Sequence, residues 1–179
     1  MCGIVGYIGT HQAAPVLLDG LAKLEYRGYD SAGIAVYDGE KIRMEKAVGR
    51  LKVLEELTQD GATLPGTVGI GHTRWATHGV PSDLNAHPHF NHDHSIVVVH
   101  NGIIENYLKL KKKLAGKGYE FLSETDTEVI AHMLDYYYKG DPLDAISKVM
   151  HRMEGSYGLG IMFRDHPGLP ERETYGTEF

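Results

Sequence analysis

The sequence predicts an α+β fold with largely antiparallel sheets and helices on their outer faces. Three observations lead there. Asp38-Gly39 separates two strand-like runs, a strong hairpin signal. Ile96-Val97-Val98-Val99 is β-branched throughout and stops at Asn101-Gly102. Residues 125–140 and 141–153 instead repeat apolar side chains at helical spacing, between recognisable start and stop signals.

Taken in order, Ile4, Val5, Tyr7 and Ile8 among Gly3, Gly6 and Gly9 predict a buried strand that another backbone can approach closely. A helix follows, with Pro15 in its first turn and Ala14, Leu17, Leu18, Leu21 and Leu24 on one face. Residues 26–33 are too polar and Gly-broken for either regular element. Strands at 34–37 and 41–48 flank the Asp-Gly turn. Leu51, Leu54 and Leu57 space out a short helix that ends near Gly61. Residues 67–73 predict a strand, and 74–93 show no period, a loop long enough to suggest function.

The strand at 95–100 leads to a basic helix at 105–115, stopped by Gly116 and Gly118, and then to a short strand at 119–122. Thr125 and Glu128 predict a capping box. Behind it Val129, Ile130, Met133, Leu134 and Tyr137 keep helical spacing up to Gly140. Asp141 is the expected N-cap of the last helix, Pro142 its first residue, and Leu143, Ile146, Val149, Met150 and Met153 its inward face. Residues 157–163 return to strand, and 166–179 have no periodicity.

The 179 residues suit one domain with a real core. A net charge of −6 gives no basic surface for nucleic acid or anionic lipid. A single cysteine excludes an intramolecular disulfide and fits a reducing compartment. Residues 1–9 carry no basic leader, and no apolar run approaches membrane length. The expected location is the cytoplasm.

That one cysteine, Cys2, follows Met1. Loss of Met1 would leave a thiol and a free α-amine on one residue: a nucleophile beside a base that titrates near pH ~8. Alone, a lone Cys at a strand start is more simply a small buried residue. Three polar segments at strand ends or helix starts accompany it: His72-Thr73-Arg74-Trp75-Ala76-Thr77-His78-Gly79, His100-Asn101-Gly102-Ile103-Ile104-Glu105-Asn106 and Ser123-Glu124-Thr125-Asp126-Thr127-Glu128. Singly these too have bland readings: turn chemistry for Asn101-Gly102, helix-dipole compensation for Asp126, a surface cation for Arg74, core packing for Trp75.

Together with Cys2-Gly3-Ile4-Val5-Gly6 and Arg27-Gly28-Tyr29-Asp30-Ser31, they resemble the glutaminase domain of the glutamine–fructose-6-phosphate aminotransferase family, among the class II amidotransferases of the N-terminal-nucleophile superfamily. The likeness runs from Cys2 to about His166. It implies a four-layer αββα sandwich and hydrolysis of L-glutamine through a cysteinyl thioester. Catalytic roles would fall to Cys2 and to an oxyanion cradle of the Asn101 side chain and the Gly102 N–H. Arg74 would take the substrate carboxylate and Asp126 its ammonium. Trp75, Thr77 and His78 would belong to a loop closing over glutamine, with support from Arg27. No cofactor is implied. The acceptor side, two sugar-isomerase domains for fructose 6-phosphate, is absent here, and the full-length family enzyme is expected to be a homo-oligomer. Residues 1–166 would form an incomplete amidotransferase domain, truncated at its C-terminus, and 167–179 resemble nothing in the family.

Alternatives are the glutaminase part of a phosphoribosyl amidotransferase or asparagine synthetase, and a catalytically inactive glutamine-binding module. Metal binding is the rival from another class. Seven of the 11 histidines lie between His72 and His100, including His87-x-His89 and His92-x-His94. The only Cys is distant in sequence, though, and no His-x-x-x-His falls on an expected helix, so no metal is expected. The Lys109, Lys111, Lys112, Lys113 run reads as a solvated helix face.

Overall fold

A computed structural model describes residues 2–75 and 79–167, with Arg27 described by its backbone alone. The first sheet holds β1 (Gly3–Ile8), β2 (Ser31–Tyr37), β3 (Ile42–Val48) and β4 (Val68–Arg74) in the order β1-β4-β2-β3. The second holds β5 (His89–Phe90), β6 (Ile96–Gly102) and β7 (Tyr157–Phe163) in sequence order. Every pairing is antiparallel.

Helices α1 (Ala13–Ala22) and α2 (Leu51–Thr58) cover the outer face of the first sheet, where Leu17, Leu21, Ile34, Val36 and Leu54 make one core. Helices α3 (Tyr107–Ala115), α4 (Glu128–Tyr137) and α5 (Pro142–Met150) bury a second core with Ile96, Val98, Val129, Ile130, Leu134 and Phe163. Between the sheets lies a third, of Ala35, Ile42, Ile70, Val97, Val99 and Met162 with Ile4 and Val68 against it. Helix, sheet, sheet, helix is the four-layer αββα sandwich implied by the resemblance. Among the described residues no helix is long and apolar enough to cross a membrane.

Strand alternation places the polar residues. In β4, Val68 and Ile70 face the second sheet, so His72 and Arg74 continue that row. In β6, Val97 and Val99 face the first sheet, and Asn101 continues theirs. Ile4 of β1 faces inward too, which sends Cys2, two residues earlier, to the same gap. The glycines between are space-makers: a Cβ on Gly69 would stand 2.9 Å from a methyl of Leu17, on the side where α1 packs.

Several local expectations change. Residues 119–122 form no strand, and the loop at 74–93 contains the two-residue β5. Residues 31–33, expected to be irregular, already pair in β2, while Glu25–Arg27 form a 3-10 turn. No capping box forms at Thr125, because its hydroxyl engages Ser123 Oγ at 3.0 Å and His89 Nε2 at 3.1 Å. The helix starts at Glu128 instead. Asp141 does cap α5, accepting from the N–H groups of Leu143 and Asp144, but Leu143 and Met150 point outward, 63% and 47% exposed. The buried stripe of α5 is Pro142, Ala145 and Val149. Leu57, expected on the inner face of α2, is half exposed, and Thr58 is buried in its place. Residues 168–179 lie outside the described residues.

Candidate active site

The rows of β1, β4 and β6 that face the gap between the sheets end around a cavity of about 670 Å³. Its lining includes Cys2, Arg74, Trp75, Asn101, Gly102 and Asp126. So six of the residues expected from sequence meet in one place. Thr77 and His78 lie outside the described residues, as does the side chain of Arg27. The backbone at Gly28 presses on the end of β4, where an added Cβ would meet the Arg74 carbonyl carbon at 2.9 Å.

Cys2 stands just before β1, whose register sets Gly3 opposite Thr73. Its sulfur therefore reaches the backbone that leaves β4: Sγ accepts from the Trp75 N–H at 3.2 Å and lies 3.6 Å from the Trp75 carbonyl. The Trp75 ring is about half exposed and edge-on to Tyr29, with centroids 5.5 Å apart.

Asn101 extends from the end of β6. Its Nδ2 donates to the Cys2 carbonyl at 3.1 Å, and its Oδ1 lies 2.8 Å from His72 Nε2. Gly102 follows at φ +125°, a conformation that favours glycine. A Cβ there would also collide with the Ser156 carbonyl at 2.2 Å. Both backbone conformation and space demand glycine.

Arg74 is buried and donates through Nη2 to the Gly79 carbonyl at 3.2 Å. Burial lowers its pKa, with Cys2, Asp30 and Asp126 acting the other way. Asp126 is held on the facing wall by the loop that enters α4. Its Oδ2 accepts from the Ile104 N–H at 2.8 Å, and its Oδ1 lies 4.0 Å from His100 Nδ1. Glu128 anchors that loop by accepting from the N–H groups of Leu122 and Ser123 at 2.8 and 2.7 Å. Burial pushes the Glu128 pKa up, but His132 and these backbone bonds outweigh it and hold the carboxylate at about 2.

Sequence reasoning gave no role to several lining residues. His100, Thr125 and Thr127 lie inside the quoted polar segments. Ser156, Tyr157 and Gly158 enter because β7 pairs with β6, setting Tyr157 opposite Gly102. Only strand pairing reveals that wall. Behind the cavity, His72, His87, His89 and His100 are buried together, and the His72 and His87 rings stack at 4.1 Å. Burial lowers the His72 pKa from 6.5 to about 4 and carries His87 and His89 well below their ordinary value. Among the described residues, no group of three or more His, Cys, Asp or Glu is arranged to hold a metal ion. The walls thus bring a sulfur, an amide, a guanidinium and a carboxylate to one chamber.

Known proteins resemble this chain in sequence and in architecture. The glutamine–fructose-6-phosphate aminotransferase (isomerizing) of Caldanaerobacter subterraneus subsp. tengcongensis is 61% identical over 169 residues, which is 94% of this chain and 28% of that protein. The enzyme of the same name from Thermus thermophilus is 54% identical over 97% of this chain and 29% of its own length. The chain therefore spans little more than a quarter of these curated relatives. Among solved structures, a glutamine phosphoribosylpyrophosphate amidotransferase from B. subtilis, complexed with ADP and GMP, superposes with a TM-score of 0.78 at 30% identity. That match covers 92% of this chain and 35% of the other. A family of glutamine amidotransferase domains matches residues 72–177, well over half of the sequence and including Arg74, Asn101 and Asp126. Its sequence and its sandwich agree: this chain belongs to the glutamine amidotransferase domain family.

Proposed function

We propose that this chain hydrolyses L-glutamine to L-glutamate and ammonia, as the ammonia-supplying domain of a glutamine–fructose-6-phosphate aminotransferase in hexosamine synthesis. The observation that carries this is the meeting of Cys2, Asn101, Arg74 and Asp126 on one cavity of about 670 Å³, within the size range of small-molecule sites. Identity of 61% to an enzyme of that name, against 30% to the phosphoribosylpyrophosphate amidotransferase, favours this acceptor class over the purine one.

In this reading Cys2 Sγ attacks the side-chain amide carbon of glutamine while the Cys2 α-amine takes the thiol proton. The carbonyl oxygen becomes an oxyanion. Asn101 has a second Nδ2 hydrogen beyond the one given to the Cys2 carbonyl, and the Gly102 N–H stands beside it as the other donor. The C–N bond breaks, the α-ammonium protonates the departing ammonia, and a γ-glutamyl thioester remains. Water attacks that thioester, releasing glutamate and restoring the thiol. Arg74 grips the substrate carboxylate through its planar fork and Asp126 the α-ammonium; charge-assisted bonds of this kind contribute about 1.5–3 kcal/mol each. Trp75 would cover the bound amino acid together with Thr77 and His78, with support from Arg27. No step calls for a cofactor.

The acceptor, fructose 6-phosphate, belongs to sugar-isomerase domains beyond this chain, in a cytoplasmic homo-oligomer. The test is ammonia release from glutamine by protein whose intact mass shows it to begin at Cys2. Turnover there, and its loss when Met1 is retained, is the expected result. Equal turnover with Met1 fully retained contradicts the amine-as-base step, and no turnover in either form favours an inactive glutamine-binding module.

A further inference from the structure

We propose that His72 is a positioning residue for the reaction: it fixes which end of the Asn101 amide faces the nucleophile. The inference rests on the oxyanion role proposed for Asn101. His72 lies on β4 of one sheet and Asn101 on β6 of the other, so the contact between them spans the gap at the floor of the cavity.

His72 Nε2 lies 2.8 Å from Asn101 Oδ1 and 3.1 Å from the His100 carbonyl oxygen. A carbonyl oxygen only accepts, so Nε2 carries the hydrogen and shares it between the two. The Asn101 amide is then read the same way from both ends. Oδ1 takes the His72 hydrogen, and Nδ2 gives one to the Cys2 carbonyl at 3.1 Å. Turning the amide over would set Nδ2 against a donor and Oδ1 against an acceptor, losing both bonds. It would also present a lone pair where negative charge develops.

The His72 ring is itself fixed. It stacks on His87 with ring planes 15° apart. His87 Nδ1 in turn accepts the His100 backbone N–H at 3.2 Å, which leaves the hydrogen on His87 Nε2, 3.4 Å from Thr127 Oγ1. His72 is 1% exposed, and its Nδ1 has no partner among the described residues. A leucine in its place could fill space but could neither stack on His87 nor give a hydrogen to Asn101 Oδ1.

A double-mutant cycle in ammonia release tests this on the chain beginning at Cys2. His72→Leu is expected to lower kcat by about tenfold or more while the KM for glutamine changes little, since Arg74 and Asp126 are untouched. His72→Gln, whose amide nitrogen is as many bonds from Cα as Nε2, is expected to restore most of kcat. His72→Asn, one bond shorter, is not. In an Asn101→Ala background, His72→Leu is expected to cost little more. Wild-type kcat in His72→Leu, full additivity with Asn101→Ala, or equal loss in the Gln and Asn variants overturns the positioning role while Asn101 keeps its own. If His72→Leu does not fold, the Gln and Asn pair decides alone. Wild-type kcat in Asn101→Ala instead overturns the oxyanion reading, and the role of His72 with it.

Discussion

The Trp75 backbone N–H donates to Cys2 Sγ at 3.2 Å across 73 residues of sequence. The contact follows from register. β1 and β4 are adjacent and antiparallel with Gly3 opposite Thr73, so the residue before β1 meets the chain leaving β4. The sulfur is placed by the sheet rather than by a loop of its own, which gives a site the rigidity of its scaffold.

Gly3 should therefore be sensitive. A Cβ there would meet Leu24 Cβ at 2.7 Å and Thr73 Oγ1 at 2.9 Å. Gly3→Ala must push the head of β1 away from β4, and Cys2 with it. We expect a loss of stability of about 1–3 kcal/mol from overpacking and a larger fractional loss of kcat. Urea unfolding beside a turnover assay checks both, and an unchanged kcat contradicts placement by register.

Gly102→Ala should be more severe. Its φ of +125° is rarely adopted by residues with a side chain, and the Ser156 carbonyl lies 2.2 Å from the added Cβ. The β6–β7 edge must shift, taking the Gly102 N–H off its line. Loss of one oxyanion donor typically lowers turnover by about 10²–10³. A stable, fully active Gly102→Ala protein would rule out this cradle.

Arg74→Lys keeps a charge but loses the planar fork. The guanidinium is buried at the cavity wall and tied to the Gly79 carbonyl. We expect KM for glutamine to rise by about tenfold or more, kcat to change less, and glutamine amides blocked at the α-carboxylate to lose their disadvantage. Steady-state kinetics with both substrates checks this, and an unchanged KM counts against carboxylate recognition.

Acid should weaken the fold before it titrates the carboxylates. Burial holds His72 at about 4 against an ordinary 6.5, and His87 and His89 are also well below theirs. Between these values the unfolded imidazoles bind protons that the folded ones do not, so stability is greatest above about pH 6.5 and falls as pH drops toward 4. Urea midpoints from pH 7.5 down to 4.5 should decline steadily, with a shallower decline in His72→Gln. A midpoint that stays level or rises on acidification would contradict a neutral buried cluster.

Much of this was legible in the sequence wherever a local pattern had a local cause. The Asp38-Gly39 turn, the β-branched strand before Asn101 and the Asp141-Pro142 helix start all rest on neighbours within a few residues. The failures share a tertiary cause. Thr125 resembles a cap by spacing, but His89 and Ser123 hold its hydroxyl, and Glu128 turns to the 122–123 backbone. Leu143 and Met150 fit the apolar period of α5, yet α4 offers no surface to that side of the helix and they stay exposed. The second wall of the cavity, Ser156 to Gly158, carries no motif and becomes visible only when β7 pairs with β6. Strand alternation did contain more than it first yielded: counting by twos from Ile4, Ile70 and Val99 leads to Cys2, His72, Arg74 and Asn101.

The central claim is that the sulfur of Cys2 is the nucleophile toward glutamine. Incubating the chain with a glutamine analogue that carries an electrophile at the γ-position, then mapping the adduct by peptide mass spectrometry, tests it most directly. We expect one adduct per chain, on the peptide that begins with Cys2, with loss of ammonia release in step with labelling and protection by free glutamine. Labelling at any other side chain, or full ammonia release after Cys2 is quantitatively modified, would contradict it.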